Sequence, residues 1–222
     1  MYLPQVTITI PEDQVYRYLR FQPKGTITEE WKLRIREAIK TVKISLQPKG
    51  MIQTETICPE LMEKWEWKSS KFGGGKVRKV IDKSQKVTFV AATIGKGLEE
   101  LIDEHSQRKE MMAAYLFDVI GTVAVHQTIE QLKKMVLPLA QKEGSHLSPR
   151  MAPGYGDWQV EAQPLFFENL EMEKLDLQLN KDGMITPKHT LTGLFAWTHQ
   201  EQKLTIPCLT CSKTDCIYRL QQ

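Results

Sequence analysis

Val87-Thr88-Phe89-Val90-Ala91-Ala92-Thr93-Ile94 is a nearly continuous apolar run, and the turn Gly95-Lys96-Gly97 follows it directly. Short apolar runs that end at glycines and are rich in β-branched residues are typical of strands buried on both faces. The segment therefore predicts a central strand of a sheet.

On either side of this strand, helical and extended patterns of unequal length follow one another. The longest helical pattern extends from Glu110 towards Leu137, and its apolar positions lie nearly all round the helix, which predicts a central position. Pro138 is expected to interrupt it. Shorter helices are predicted from Thr28, at 98–105 and at 160–170, and strands at 6–10, 147–151, 175–179 and 190–198. Unequal elements without a regular strand–helix alternation predict an α+β fold.

The composition excludes several classes of protein. Of the 222 residues, 41% are hydrophobic and 26% are charged, as in ordinary folded domains. The 30 Lys and Arg residues are nearly balanced by 27 Asp and Glu residues, so no nucleic-acid partner is expected. No run approaches the roughly 18 apolar residues of a membrane helix. The first residues lack the basic and apolar regions of a signal peptide. We therefore expect a cytoplasmic protein that does not bind membranes.

The most informative segment for function is Arg150-Met151-Ala152-Pro153-Gly154-Tyr155. Gly154 lets a ligand approach the backbone closely, because it has no Cβ. Arg150 offers a fork of donors suited to a carboxylate, and the ring of Tyr155 offers a face on which a sulfonium cation can sit. These groups suit a zwitterionic ligand with an adenine, although Pro-Gly before Tyr is more often an ordinary surface turn.

The motif Arg-x-Ala-Pro-Gly-Tyr resembles the S-adenosylmethionine-binding loop in the activation domain of cobalamin-dependent methionine synthase. The stand-alone members of that family share further motifs with this chain, in the same order. Those motifs lie at 10–19, at 91–95, at 148–158 with Glu161 and Gln163 after it, and in the cysteine-containing stretch from Cys208 to Arg219.

The resemblance implies a twisted antiparallel sheet with helices packed around it, including the long central one. It also implies a function. In that family, the activation domain holds S-adenosylmethionine over the corrin of methionine synthase. An electron from flavodoxin or ferredoxin is then trapped by methyl transfer to cobalt. The chain has no Asp-x-His-x-x-Gly corrin-binding segment, so it is expected to act on the cobalamin of a separate methionine synthase. No nucleophile–base pair is evident, so whether the isolated chain is itself an enzyme stays open; the resemblance implies an accessory component of a cobalamin-dependent methyltransferase.

The resemblance also assigns roles to residues of the loop. Arg150 is expected to bind the ligand's carboxylate, Ala152 and Gly154 to contribute backbone groups, and Tyr155 to pack near the ligand. Each has an alternative role in the fold alone: Arg150 could be a surface strand residue, and Tyr155 a half-buried core residue.

The chain departs from the family at one position. The long helix of the family carries a Glu that can pair with the ligand's ammonium group, and His126 stands there in this sequence. A neutral imidazole accepts a hydrogen bond but supplies no negative charge. Glu130, one turn further along the helix, could substitute. His126 could equally be a residue that packs the helix.

The end of the chain predicts a metal site. Cys208, Cys211 and Cys216 have ligand-like spacing, because a two-residue gap lets two thiolates reach one metal. An iron–sulfur cluster could use three thiolates and leave one iron exposed. Zinc would need a fourth ligand, for which the candidates are Cys58, His189 and His199. An unliganded tail of reduced thiols is the alternative.

We therefore predict an activation-domain-like region at 1–206 and a cysteine-rich tail at 207–222. The predicted function is that of an S-adenosylmethionine-binding subunit that reactivates methionine synthase. The alternative is a metal or iron–sulfur redox module that serves another corrinoid methyltransferase.

Overall fold

The computed structural model describes residues 1–19, 27–66, 75–156 and 158–200. In these ranges the helices are α1 (Glu12–Tyr18), α2 (Glu29–Ser45), α3 (Pro59–Lys64), α4 (Gly75–Ile81), α5 (Gly97–Gln107), α6 (Met111–Lys142) and α7 (Pro164–Asn169). The strands are β1 (Tyr2–Leu3), β2 (Lys49–Thr56), β3 (Ser84–Thr93), β4 (His146–Leu147), β5 (Gln178–Leu179), β6 (Ile185–Thr186) and β7 (Thr190–Thr198).

Five strands form an antiparallel sheet in the order β1-β2-β3-β7-β4, and β5 and β6 form a separate pair. The strand β3 is the middle one, as its apolar run predicts, and every residue from Val87 to Ile94 is buried. At one edge Tyr2 pairs with Met51. At the other edge His146 pairs with Thr198. The α+β fold is confirmed.

The described chain divides into two compact units. The first holds Met1–Met51, Ala91–Lys133 and Glu171–Leu191, and the second holds Ile52–Val90, Lys134–Leu170 and the chain from Thr192 on. The sequence pattern predicts no such division, because β2, β3, β7 and α6 each contribute residues to both units.

In the first unit α2 packs against α1 and α5. Helix α2 begins where the sequence predicts, because the Thr28 side chain accepts a hydrogen bond from the Trp31 backbone N–H at 3.4 Å. Its apolar positions recur at three- and four-residue steps, so they bury one face of the helix. The buried residues of α2 are Ile35, Ala38, Ile39 and Val42.

The second unit has an aromatic core. Phe89 of β3 meets Trp65 and Phe166 edge-on, with ring centroids 5.2 and 5.4 Å apart. Trp158 lies 5.9 Å from Phe166 and is 1% exposed. The indole N–H of Trp65 donates to the Asn169 side chain at 3.1 Å, so its polar atom is satisfied.

Helix α6 is long, as predicted, but it does not end at Pro138 and continues to Lys142. The proline removes one backbone hydrogen bond. Burial of Val136 and Ala140 on either side of it favours continuation of the helix. By length and composition α6 could cross a membrane, contrary to the sequence expectation. Because 61% of its most apolar 18-residue window is buried inside the protein, it is a core helix here.

Three other predicted elements differ from the structure. Residues 6–10 alternate in burial as a strand would, but they lie outside the strands of the described sheet. At 160–170 a 3-10 turn, Val160–Ala162, precedes α7, because Pro164 has no N–H to continue the helix. The predicted strand at 175–179 is shortened to Gln178–Leu179, since a 3-10 turn ends at Leu175.

Candidate functional site

The loop at residues 150–158, of which the structure describes 150–156 and 158, follows β4, and its start lies beside β7. Met151 and Leu194 exchange both backbone hydrogen bonds, at 2.8 and 3.0 Å, and form an isolated bridge. The predicted strand at 147–151 is therefore present only at β4 and at this bridge. The bridge holds the start of the loop in register with β7.

The loop then closes on itself. The Tyr155 N–H donates to the Ala152 carbonyl at 3.2 Å, and the Gly154 N–H donates to the Trp158 carbonyl at 2.8 Å. Gly154 has a φ of +83°, a left-handed conformation that favours glycine, and an added Cβ there would meet no atom within 4 Å. Buried Trp158 anchors one end of the loop, while Tyr155 remains 56% exposed.

Arg150 and Tyr155 come together in this loop. The guanidinium carbon of Arg150 lies 5.1 Å from the centroid of the Tyr155 ring, a cation–π contact. One guanidinium nitrogen also donates to the Thr192 carbonyl at 2.5 Å. That bond uses one of the five donors of the guanidinium, and two suffice for a bidentate pair with a carboxylate.

In the sequence, Ala152 and Gly154 lie between Arg150 and Tyr155. Ala152 is buried at 4% exposure and Gly154 is exposed. The carbonyl of Ala152 already accepts the turn hydrogen bond from Tyr155. A ligand can therefore reach the exposed backbone at Gly154, although the Gly154 N–H is already donated to the Trp158 carbonyl.

A polar pair supports the loop from β7. The side chains of Gln163 and Thr192 are joined by two hydrogen bonds, at 2.9 and 3.1 Å, and both residues are buried. Gln163 belongs to the stretch on which the predicted resemblance rests, but Thr192 and Gly193 are not among the predicted site residues. Neither carries a local signal in the sequence, because Thr192 lies 42 positions after Arg150 and meets it only where the loop pairs with β7.

His126 and Glu130 belong to α6 in the first unit. His126 is half-buried, and its ring stacks on that of Tyr18 with centroids 6.2 Å apart and an interplanar angle of 30°. Glu130 is exposed. The stacking agrees with a packing role for His126, and the ligand roles of both residues stay predictions.

Another part of the first unit holds a cluster of charged groups. The Lys188 ammonium lies 2.5 Å from a carboxylate oxygen of Asp118, and the imidazole Nε2 of His189 lies 3.2 Å from the Asp118 carbonyl oxygen. His189 is 4% exposed. Burial lowers the pKa of His189, and the neighbouring Asp118 only partly offsets that effect. Burial of His189 thus favours the neutral form of its imidazole over the charged form.

The predicted metal ligands Cys208, Cys211 and Cys216 lie outside the described residues. Among the described residues no group of three or more His, Cys, Asp or Glu side chains could hold a metal ion. Of the candidates for a fourth ligand, Cys58 is a half-exposed free thiol just before α3, His189 is buried and His199 is exposed. The metal site stays a prediction.

A search of known structures finds a similar fold in the MetH reactivation domain bound to AdoHcy. The TM-score is 0.56 and the sequence identity is 11%, over 90% of this chain and 81% of the other. What the two share is the fold. The predicted likeness to an activation domain is confirmed at that level, and identity this low carries no residue role. No family profile matches the chain, and no curated protein matches it.

Proposed function

We propose that the chain binds S-adenosylmethionine through the loop at residues 150–158 and supports reactivation of the cobalamin of a separate methionine synthase. The observation that carries the proposal is the pairing of Arg150 with Tyr155 beside the exposed backbone of Gly154. The likeness in fold to a reactivation domain bound to AdoHcy supports it.

The loop offers groups that match two parts of this ligand. The Arg150 guanidinium offers donors to the carboxylate. The ring of Tyr155, 56% exposed, offers an aromatic surface near which a sulfonium is attracted. When bound, S-adenosylmethionine supplies the methyl group, and the residues of this chain supply binding and orientation.

The corrinoid partner and the electron donor belong to the same proposal. The corrinoid is expected to be held by the partner protein, and flavodoxin or ferredoxin is the expected source of the electron. A pull-down with cobalamin-loaded methionine synthase, with and without S-adenosylmethionine, tests for the partner. If the chain fails to associate with the synthase both with and without S-adenosylmethionine, the result argues against reactivation. Ligand binding is then tested separately.

Calorimetric titration with S-adenosylmethionine is the first test of the ligand. Wild-type protein should bind saturably, and Arg150→Ala should weaken binding by about tenfold to a hundredfold, because a charged hydrogen bond contributes about 1.5–3 kcal/mol. Tyr155→Ala should weaken it less. Arg34→Ala is the matched control, since Arg34 also makes a cation–π contact, with Trp31 at 5.6 Å, but in the first unit.

Absence of binding by the wild-type protein at about millimolar ligand, which means a binding free energy weaker than about −4 kcal/mol, would refute the proposal. Equal losses in Arg150→Ala and Arg34→Ala would place the ligand elsewhere. The alternative of a metal or iron–sulfur module has its own test: protein purified without oxygen should contain iron and sulfide, or zinc, that is lost when Cys208 and Cys211 are replaced by Ser.

A further inference from the structure

The side chain of Arg150 crosses β7 at Gly193. A Cβ added at Gly193 would lie 2.6 Å from Cγ and 2.9 Å from Cδ of Arg150, and 3.0 Å from the Met151 carbonyl oxygen. Real Cβ atoms do not approach carbon atoms this closely. The path of Arg150 along the sheet therefore depends on the missing side chain at Gly193.

Beyond Gly193 the guanidinium reaches the Thr192 carbonyl, at 2.5 Å. Thr192 is held from its own side chain by the two hydrogen bonds to Gln163. Gln163 lies immediately before α7, whose Phe166 is completely buried. The acceptor that fixes Arg150 is thus tied through a buried side-chain pair to the aromatic core of the second unit.

We propose that Gly193, Thr192 and Gln163 are positioning residues that aim the Arg150 guanidinium along the loop towards Tyr155. Gly193 opens the path, and the Thr192 carbonyl holds one guanidinium nitrogen. Gln163 keeps Thr192 in place. The inference rests on the proposed function, because its effect on binding passes entirely through the carboxylate that Arg150 is proposed to bind.

This role predicts a selective loss of affinity. Gly193→Ala displaces Arg150, so it should weaken binding of S-adenosylhomocysteine by about tenfold or more, approaching the effect of removing the charged hydrogen bond. It should leave binding of 5′-methylthioadenosine unchanged, because that nucleoside has no carboxylate. If Gly193→Ala only disturbs the fold of the loop, binding of both ligands should weaken equally.

The experiment is a double-variant cycle with both ligands, measured by calorimetry. The proteins are wild type, Arg150→Ala, Gly193→Ala and the Arg150→Ala/Gly193→Ala double variant. Gly75→Ala is the matched control, because a Cβ added there would meet no atom within 4 Å. Once Arg150 is absent, adding Gly193→Ala should cause no further loss of S-adenosylhomocysteine affinity.

Gln163→Ala keeps the inference testable if Gly193→Ala does not fold. It leaves the path open but releases Thr192, and we expect about a threefold to tenfold loss for S-adenosylhomocysteine alone. Additive losses in the cycle, or equal losses for both ligands, would overturn the positioning role while leaving the proposed function intact. If wild-type protein binds neither ligand, the proposed function and this inference both fail.

Discussion

The loop at residues 150–158 and the α6 segment around His126 differ in where their contacts come from. Within the loop, Tyr155 meets Arg150 five positions earlier, and the backbone closes its own turn. On α6, His126 stacks on Tyr18, which belongs to α1 near the start of the chain. Contacts within a short motif can be predicted from its sequence. The role of a helix residue depends instead on which element, distant in the sequence, packs against it.

The largest expected effect concerns the anchor of the loop. Trp158→Ala removes a side chain that is 1% exposed and packs on Phe166. The free energy of unfolding should fall by about 3–5 kcal/mol, as for other buried tryptophans. Urea unfolding followed by far-UV circular dichroism measures it. Tyr155→Ala, at an exposed position of the same loop, is the control and should change stability by about 0.5 kcal/mol or less. Equal losses would mean that the loop is not anchored by Trp158.

The next effect tests whether His126 takes part in the ligand binding that is proposed for the loop. His126→Glu supplies the negative charge that the sequence resemblance places at this position, so if His126 meets the ligand the variant should bind S-adenosylmethionine about tenfold to a hundredfold more tightly. Glu130→Gln in the wild-type background should weaken binding if Glu130 substitutes for that charge. Calorimetric titration of both variants decides the matter. No change in either variant would assign His126 to packing alone.

A third test compares two helical glycines. A Cβ added at Gly75 of α4 would meet no atom within 4 Å, whereas one added at Gly121 of α6 would lie 2.3 Å from Leu98 Cδ2 and 2.7 Å from His189 Nε2. Overpacking at Gly121→Ala should cost about 1–3 kcal/mol, more than the gain in helix propensity of up to about 1 kcal/mol. Thermal and urea unfolding measure the net loss. Gly75→Ala is the control. An unchanged or raised stability of Gly121→Ala would show that this packing can relax.

The smallest effect is a pH dependence of stability that comes from His189, which contacts Asp118 of α6. Burial lowers the pKa of His189 in the folded protein, so the unfolded chain binds more protons at this group once the pH falls below about 6.5. The contribution of His189 to the free energy of unfolding should therefore be fully present above that pH. It should decrease as the pH falls, until the pH reaches the pKa of His189 in the folded protein. One histidine can change the free energy of unfolding by at most about 1.4 kcal/mol per pH unit.

Urea unfolding of wild type and His189→Gln, between about pH 7.5 and 5.5, isolates this contribution, because the other titrating groups are common to both proteins. The wild-type curve should fall more steeply than that of the variant below about pH 6.5. Parallel curves would show that His189 titrates alike in the folded and unfolded chains.

Much of the fold could be predicted from single patterns. The run at 87–94 predicts the central strand, and the Thr28 cap predicts the start of α2, because burial on both faces and capping are local requirements. The strand expected at 6–10 is not formed. Its alternation is present, but a strand also needs a partner along its length, and here β2 pairs with Tyr2 and Leu3 instead.

The sequence by itself determined the residue types at the candidate site: the arginine, the glycine and the tyrosine within six positions. Only the tertiary structure decided what holds the arginine. Thr192 and Gly193 carry no local signal, since their importance arises where β7 meets Arg150, 42 positions before Thr192. Pairing of this kind is set by the balance of burial and backbone hydrogen bonding over the whole sheet, which no single motif contains.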